Sequence, residues 1–224
     1  MIGILTIGQS PRPLLLREFR RVIPGSVQIV LRGALDGMTR EEIARHAPQS
    51  ADDTLFTILP DGTDIRISHA TVAKRAQVKL EEMQREGCRL TVFCCTGEFA
   101  GLGSSLPLLF PSRIHTQVAQ ALAKDRRLGV FVPLPEQEAI ASSRWYACGF
   151  SDVVTQAVAP NGSDAEIERA ASRMAEATVD LVVYDCMGYG HELRARADSI
   201  TKVPSILSVS LVARVVAELI DGTI

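Results

Sequence analysis

Short, continuous apolar blocks alternate along the chain with longer stretches in which apolar residues return every three or four positions. The first rhythm is that of a strand buried on both faces, the second that of an amphipathic helix. Blocks at 2–7, 27–31, 90–94, 128–132, 153–157 and 181–184 predict strands. Helices are predicted over 70–85, 113–123, 136–147, 163–177 and 205–219, with another running to about residue 22 from Ser10-Pro11, read as N-cap and first helical residue. Thr39-Arg40-Glu41-Glu42 and Ser163-x-x-Glu166 have the spacing of capping boxes. One stretch breaks the alternation: 55–59, the turn Pro60-Asp61-Gly62-Thr63 and 65–67 read as a local hairpin. Strands joined by helices predict a parallel α/β architecture with right-handed crossovers.

Length and composition narrow this without redirecting it. A chain of 224 residues makes one domain or two lobes of about 100 residues each. It is 46% hydrophobic and 22% charged, with a formal net charge of -2. No basic or acidic block points to nucleic acid or a membrane surface, and no run approaches the ~20 apolar residues of a membrane span. The apolar N-terminus lacks a basic leader and ends at Gly8-Gln9, so it reads as a first strand and the protein as cytoplasmic.

An internal comparison then brings in chemistry. "VFCCTG", residues 92–97, matches "VYDCMG", residues 183–188: Cys95 falls on Cys186 and Gly97 on Gly188. Upstream, "GILTIGQS" resembles "GVFVPLPEQ"; downstream, "FPSRIHTQVAQALA" resembles "VPSILSVSLVARVVAEL". Three marks in the same order predict two similar lobes, each with a cysteine at the carboxyl end of a strand, where ligands of parallel sheets bind. A cleft between the lobes would then carry one thiol on each wall.

Five cysteines, an odd number with no C-x-x-C pair, argue against a disulfide framework and against a metal site. Cys88, Cys148 and Cys94, the last alternating with Cys95 along a strand, read as core. Cys95 and Cys186 could also merely fill strand ends, since free cysteine is a common buried residue. Their paired placement instead suits an acid/base couple. One thiolate removes a proton beside a carboxylate or amide and the other thiol returns one to the opposite face, with no cofactor. Gly8, Gln9 and Ser10, between a strand and a helix N-terminus, suit an anion such as a carboxylate, and Glu136 and Gln137 lie in the counterpart loop. Thr96, Gly97, Glu98, Gly188 and Tyr189 flank the cysteines as candidate substrate contacts. Asp185 and His191 are candidates for tuning a thiol, Asp185 by raising the pKa of Cys186 and so leaving Cys95 as the resting base. Each has a plainer reading: Asp185 capping a neighbour, His191 opening a solvated helix, Tyr189 packing in the core.

"LTIGQSPR", "CTGEF", "FPSRI" and "DCMGYG" together resemble the AroM family over essentially the whole chain. More remotely, two α/β lobes with one cysteine each are similar to the aspartate/glutamate/hydantoin racemase superfamily. That resemblance implies two flavodoxin-like lobes, 1–112 plus a returning 207–224 and 113–206. It also implies cofactor-independent proton transfer by Cys95 and Cys186, with Gly8-Gln9-Ser10 holding the substrate carboxylate. Amino-acid racemases of this type resemble Cys-Asn-Thr and Gly-Cys-Thr where this chain has Cys95-Thr96-Gly97 and Asp185-Cys186-Met187, which argues against a free amino acid more than against proton transfer.

The expectation is therefore a racemase- or isomerase-like enzyme, a homodimer by default for its size, acting on a small carboxylate or amide without cofactor or metal. Two competitors remain open: a one-cysteine decarboxylase or cis–trans isomerase, and a non-catalytic carboxylate-binding or regulatory protein on the same fold.

Overall fold

The computed structural model describes residues 1–221 and divides into two compact units, one ending at Pro111 and the other starting at Ser112. The first contains β1 (Ile2–Thr6), α1 (Pro13–Arg20), β2 (Ile29–Gly33), α2 (Arg40–Ala44), β3 (Thr54–Ile58), β4 (Asp64–Ser68), α3 (His69–Arg85), β5 (Thr91–Cys94) and β6 (Leu108–Leu109). Its sheet has the order β2-β1-β5-β6, with every neighbouring pair parallel. All five residues of β1 and all four of β5 are buried, which is why their sequence is continuously apolar rather than alternating. Helix α3 turns Val72, Ala76, Leu80 and Met83, spaced three or four apart, onto this core. β3 and β4 pair antiparallel as the separate hairpin that the turn residues predict.

The second unit contains α4 (Pro111–Ala123), β7 (Leu128–Val132), a 3₁₀ turn at Pro135–Gln137, α5 (Glu138–Ala147), β8 (Val153–Ala157), α6 (Asp164–Glu176), β9 (Leu181–Tyr184), α7 (His191–Thr201), β10 (Ser205–Leu207) and α8 (Ser208–Ile220). Its parallel sheet reads β8-β7-β9-β10, so β7 corresponds to β1, β8 to β2, β9 to β5 and β10 to β6. The likeness extends to single atoms. A Cβ on Gly3 of β1 would lie 2.7 Å from Met83 Cε, and one on Gly129 of β7 would lie 3.1 Å from Met174 Sδ. In both copies a helix methionine occupies the space a side chain would take. Both capping boxes form, Thr39 with Glu42 and Ser163 with Glu166.

Three sequence expectations change. Ser10 is not a helix cap: α1 begins at Pro13, preceded by Arg12 at φ -127°, ψ 76°. A residue before proline is pushed out of the helical region, so the second proline sets the start. The predicted helix from 205 opens instead with the strand β10, and the Pro-Ser match was out of register. Pro107 and Pro204 are the equivalent positions, each giving its carbonyl to the first or second residue of the neighbouring strand, Thr91 and Val182, at 3.0 Å. The last helix falls in the second unit, whereas the expected range 207–224 put it with the first; residues 222–224 of that range lie outside the described residues. Ser208, its first residue, donates its hydroxyl to Tyr184 O at 2.8 Å and meets His115 Nδ1 at 2.9 Å.

Candidate functional site

In the first unit three neighbouring strands deliver loops to one edge of the sheet. Thr6 pairs with Gly33 on one side and with Cys94 on the other, so the segments after β2, β1 and β5 emerge side by side. Cys95 is the first residue past β5 and is 8% exposed. Its Sγ accepts the N–H of Gly97 at 3.4 Å. The preceding thiol, Cys94, faces the protein interior, and burial drives its pKa far up, with Cys95 adding to the rise and Arg12 opposing it. Both consecutive sulfurs are buried, Cys94 at 4% and Cys95 at 8% exposure, and Cys95 packs within the apolar core of the first unit. Thr96 and Gly97 are half-buried; Glu98 is exposed, and its carbonyl accepts from, or is met by, His69 Nε2 at 2.7 Å.

The loop after β1 does not have the free donors expected of it. Ser10 donates both its N–H, at 2.7 Å, and its hydroxyl, at 2.8 Å, to the carboxylate of Asp36, which also takes the N–H of Gly33 at 2.7 Å. The amide nitrogen of Gln9 donates to the carbonyls of Leu35 and Met38. Arg12 donates through Nη1 to Thr57 Oγ1 at 3.2 Å and to the carbonyl of Ile58, turning toward the hairpin. Gly8 and Gly33 are fixed by space: a Cβ on Gly8 would lie 2.4 Å from Thr57 Oγ1, and one on Gly33 only 2.3 Å from Gly8 O.

The second unit repeats the sulfur and changes its surroundings. Cys186 is half-buried, two residues beyond β9, and its Sγ accepts the N–H of Gly188 at 3.3 Å. Gly188 is exposed, with Pro160 of the loop after β8 3.1 Å from where its Cβ would stand. Asp185 points into the unit, where Trp145 Nε1 donates to its carboxylate at 3.0 Å and Arg144 forms an ion pair with it. His115 Nε2 lies 3.6 Å from the same carboxylate, and its ring stacks on Trp145. Burial holds the His115 pKa down to about 4, against the pull of Asp185 and with help from Arg144. Asp185 therefore takes the plainer of its two roles, securing neighbouring elements. So does Tyr189, which is 1% exposed, donates its hydroxyl to Val158 O at 2.7 Å and packs edge-on against Tyr184. Glu136 is exposed and Gln137 half-buried on the 3₁₀ turn after β7, while His191 is the half-buried first residue of α7.

Sequence reading passed over Asp36, Arg144, Trp145 and the buried role of His115. Asp36 carried one usable signal, its place just past the carboxyl end of the second strand. The other three come together only around Asp185, His115 from α4 and Arg144 and Trp145 from α5, which no local pattern encodes. All five cysteines are thiols. Among the described residues no group of three or more His, Cys, Asp or Glu is placed to hold a metal ion, and no helix is long and apolar enough to cross a membrane.

Known structures share this architecture at low sequence identity. Allantoin racemase from Klebsiella pneumoniae superposes with a TM-score of 0.63 at 16% identity, covering 100% of this chain and 89% of its own. Glutamate racemase from Francisella tularensis, solved with D-glutamate, gives 0.64 at 11% identity over 99% and 81%. Arylmalonate decarboxylase gives 0.62 at 13% identity over 97% and 91%. These relatives show the racemase-type fold of two similar α/β lobes. No curated protein matches the sequence itself. The family described as AroM protein matches residues 2–220, nearly end to end, and the chain belongs to that family.

Proposed function

We propose that this protein is a cofactor-independent enzyme of the racemase or isomerase type, moving a proton at a carbon next to a carboxylate or amide, with Cys95 and Cys186 as the acid/base pair. The observation that carries the reading is the repeated sulfur environment. In each unit a cysteine just beyond the carboxyl end of a parallel strand receives the N–H of the glycine two residues on. A main-chain donor aimed at sulfur favours its anion, the form in which sulfur acts as a base. In this reading one thiolate takes the substrate proton and the other thiol returns one to the opposite face, with Thr96, Gly97 and Gly188 lining the substrate's path beside the sulfurs. Glu98, Glu136 and Gln137 are left as side chains that orient it. Two racemases and a decarboxylase among the structural relatives support this reaction class. Five thiols suit a reducing compartment, the cytoplasm.

The test is solvent deuterium incorporation into small carboxylates and amides. The intact protein incorporates deuterium into its substrate, while Cys95→Ala and Cys186→Ala each lower the rate at least a thousandfold. Full exchange in both single variants would end the two-base reading. The unequal exposure of the sulfurs, Cys95 nearly covered and Cys186 half-buried, favours as second reading a one-cysteine decarboxylase or cis–trans isomerase. Loss of activity in only one of the two variants would select it. A non-catalytic binding protein would instead show slow, uniform iodoacetamide labelling of both thiols.

A further inference from the structure

We infer that His69, the first residue of α3, is a positioning residue for the Cys95 sulfur: it holds the turn whose Gly97 N–H supports the thiolate. This goes beyond the proton-transfer reading and rests on it only for taking Cys95 as a reactive thiol.

Gly97 can direct its N–H at the sulfur, 3.4 Å away, only while the turn that follows stays in place. Two contacts from His69 hold that turn at the next two residues. A carbonyl oxygen has no proton to give, so His69 donates through Nε2 to Glu98 O at 2.7 Å. Its ring also stacks on Phe99, with centroids 4.1 Å apart and planes at 24°. Phe99 is buried, meets Phe93 edge-on and lies against Gly97, where a Cβ would stand 3.5 Å from both Phe99 Cε2 and Cys95 Sγ. The histidine is itself anchored: its main-chain N–H donates to Asp53 O at 2.8 Å, and the preceding Ser68 caps α3. A donor fixed before the charge appears needs no reorganisation to meet it. The second unit ties its turn by other means. There Tyr189, the residue after the sulfur-directed glycine, is held through its hydroxyl to Val158 O at 2.7 Å. Each unit thus pins the chain just past that glycine, and in the first the pin is a half-buried side chain that can be exchanged without opening the core.

The experiment titrates the Cys95 thiolate in the full chain by its ultraviolet absorbance, taken as the difference between each protein and the same protein carrying Cys95→Ala. His69→Phe keeps a ring on Phe99 and loses the donor, and Glu98 O turns to water, so the fold stands. His69→Gln restores a donor near the place of Nε2. His69→Phe raises the pH midpoint of Cys95 by about half a unit to one unit, the equivalent of one neutral hydrogen bond. The midpoint of Cys186, measured against Cys186→Ala, stays where it was, and His69→Gln brings Cys95 back to its original midpoint. A Cys95 midpoint unmoved by His69→Phe overturns the inference. So does an equal shift at Cys186, a Gln variant shifted as far as the Phe variant, or a Cys95 thiol that never ionises in the unaltered protein. Deuterium incorporation by the same proteins separates it from the proton-transfer reading. The expected shift in a protein that exchanges no deuterium sustains the positioning role and sinks the chemistry alone, whereas exchange with an unmoved midpoint sinks only this inference.

Discussion

Each unit of this protein sets an aspartate close in the fold to a cysteine-bearing strand end, and the two aspartates are held in opposite ways. Asp36 is half-buried and bound by main-chain N–H groups and a serine, all from loops of the same sheet edge. Asp185 is 4% exposed and bound by the side chains of Arg144 and Trp145, with His115 alongside. What stays alike between the copies is the sulfur with its glycine N–H two residues on. What differs is the support around it: a loop-to-loop clasp in one copy, a side-chain network through the interior in the other. The comparison teaches that the shared part is the part touching sulfur, while the surroundings of each copy have been free to specialise.

The sharpest way to break this contrast is to remove each aspartate. Asp185→Ala leaves a guanidinium and an indole N–H without their acceptor and is expected to cost about 3–5 kcal/mol, the range for breaking a buried ion pair. Asp36→Ala, whose donors can turn to water, is expected to cost about 1–2 kcal/mol. Urea unfolding of the two variants measures both, and equal costs would erase the distinction. Next in size is a pH effect belonging to the second unit alone. His115 is held neutral with a pKa of about 4, below its ordinary value near 6.5. Between those values the unfolded chain binds a proton that the folded chain does not, so stability is full above about pH 6.5 and falls as pH drops toward 4. The loss is of order 3 kcal/mol, and His115→Gln should flatten the slope seen in unfolding from pH 7 to 4.5.

Smaller effects sharpen the likeness. Gly3→Ala and Gly129→Ala both push a Cβ at a packed methionine and at a stiff β-branched side chain, but the added Cβ would stand 2.7 Å from Thr91 Oγ1 at the first and 3.1 Å from Val179 Cγ2 at the second. Gly3→Ala should therefore cost about 2 kcal/mol and Gly129→Ala about 1 kcal/mol, read as midpoint shifts in denaturant. Smallest is the pair of capping boxes. Ser163→Ala and Thr39→Ala should each cost about 1 kcal/mol by thermal unfolding, since each removes the side-chain oxygen that accepts the N–H of the glutamate three residues on, while the main-chain N–H of the cap keeps its bond to that glutamate.

Much of the fold was legible because its strands are buried on both faces and its helices carry an apolar stripe. Residues 181–184 were placed to the residue, and the hairpin at 54–68 followed from its turn. β6 and β10 escaped because two- and three-residue strands leave no rhythm, and β10 runs directly into α8. At the candidate site, the cysteine and glycine pairs were legible through internal likeness. Ser10 was misread because a serine before proline announces a cap, whereas here it answers to a carboxylate 26 residues away. Tyr189 and Asp185 sit beside Cys186 in sequence yet point into the unit, a choice made by partners on other elements.

The close approach of Gly8 and Gly33 has a consequence for how such a protein can change over generations. Because a Cβ on Gly33 would collide with the Gly8 carbonyl, these two loops are registered by main chain, and the side chains at positions 9, 10 and 36 hang from a frame they do not define. Substitutions there can change the chemistry of this edge while the main-chain frame beneath it stays as it is. A family built this way can vary those side chains from member to member without redrawing its architecture.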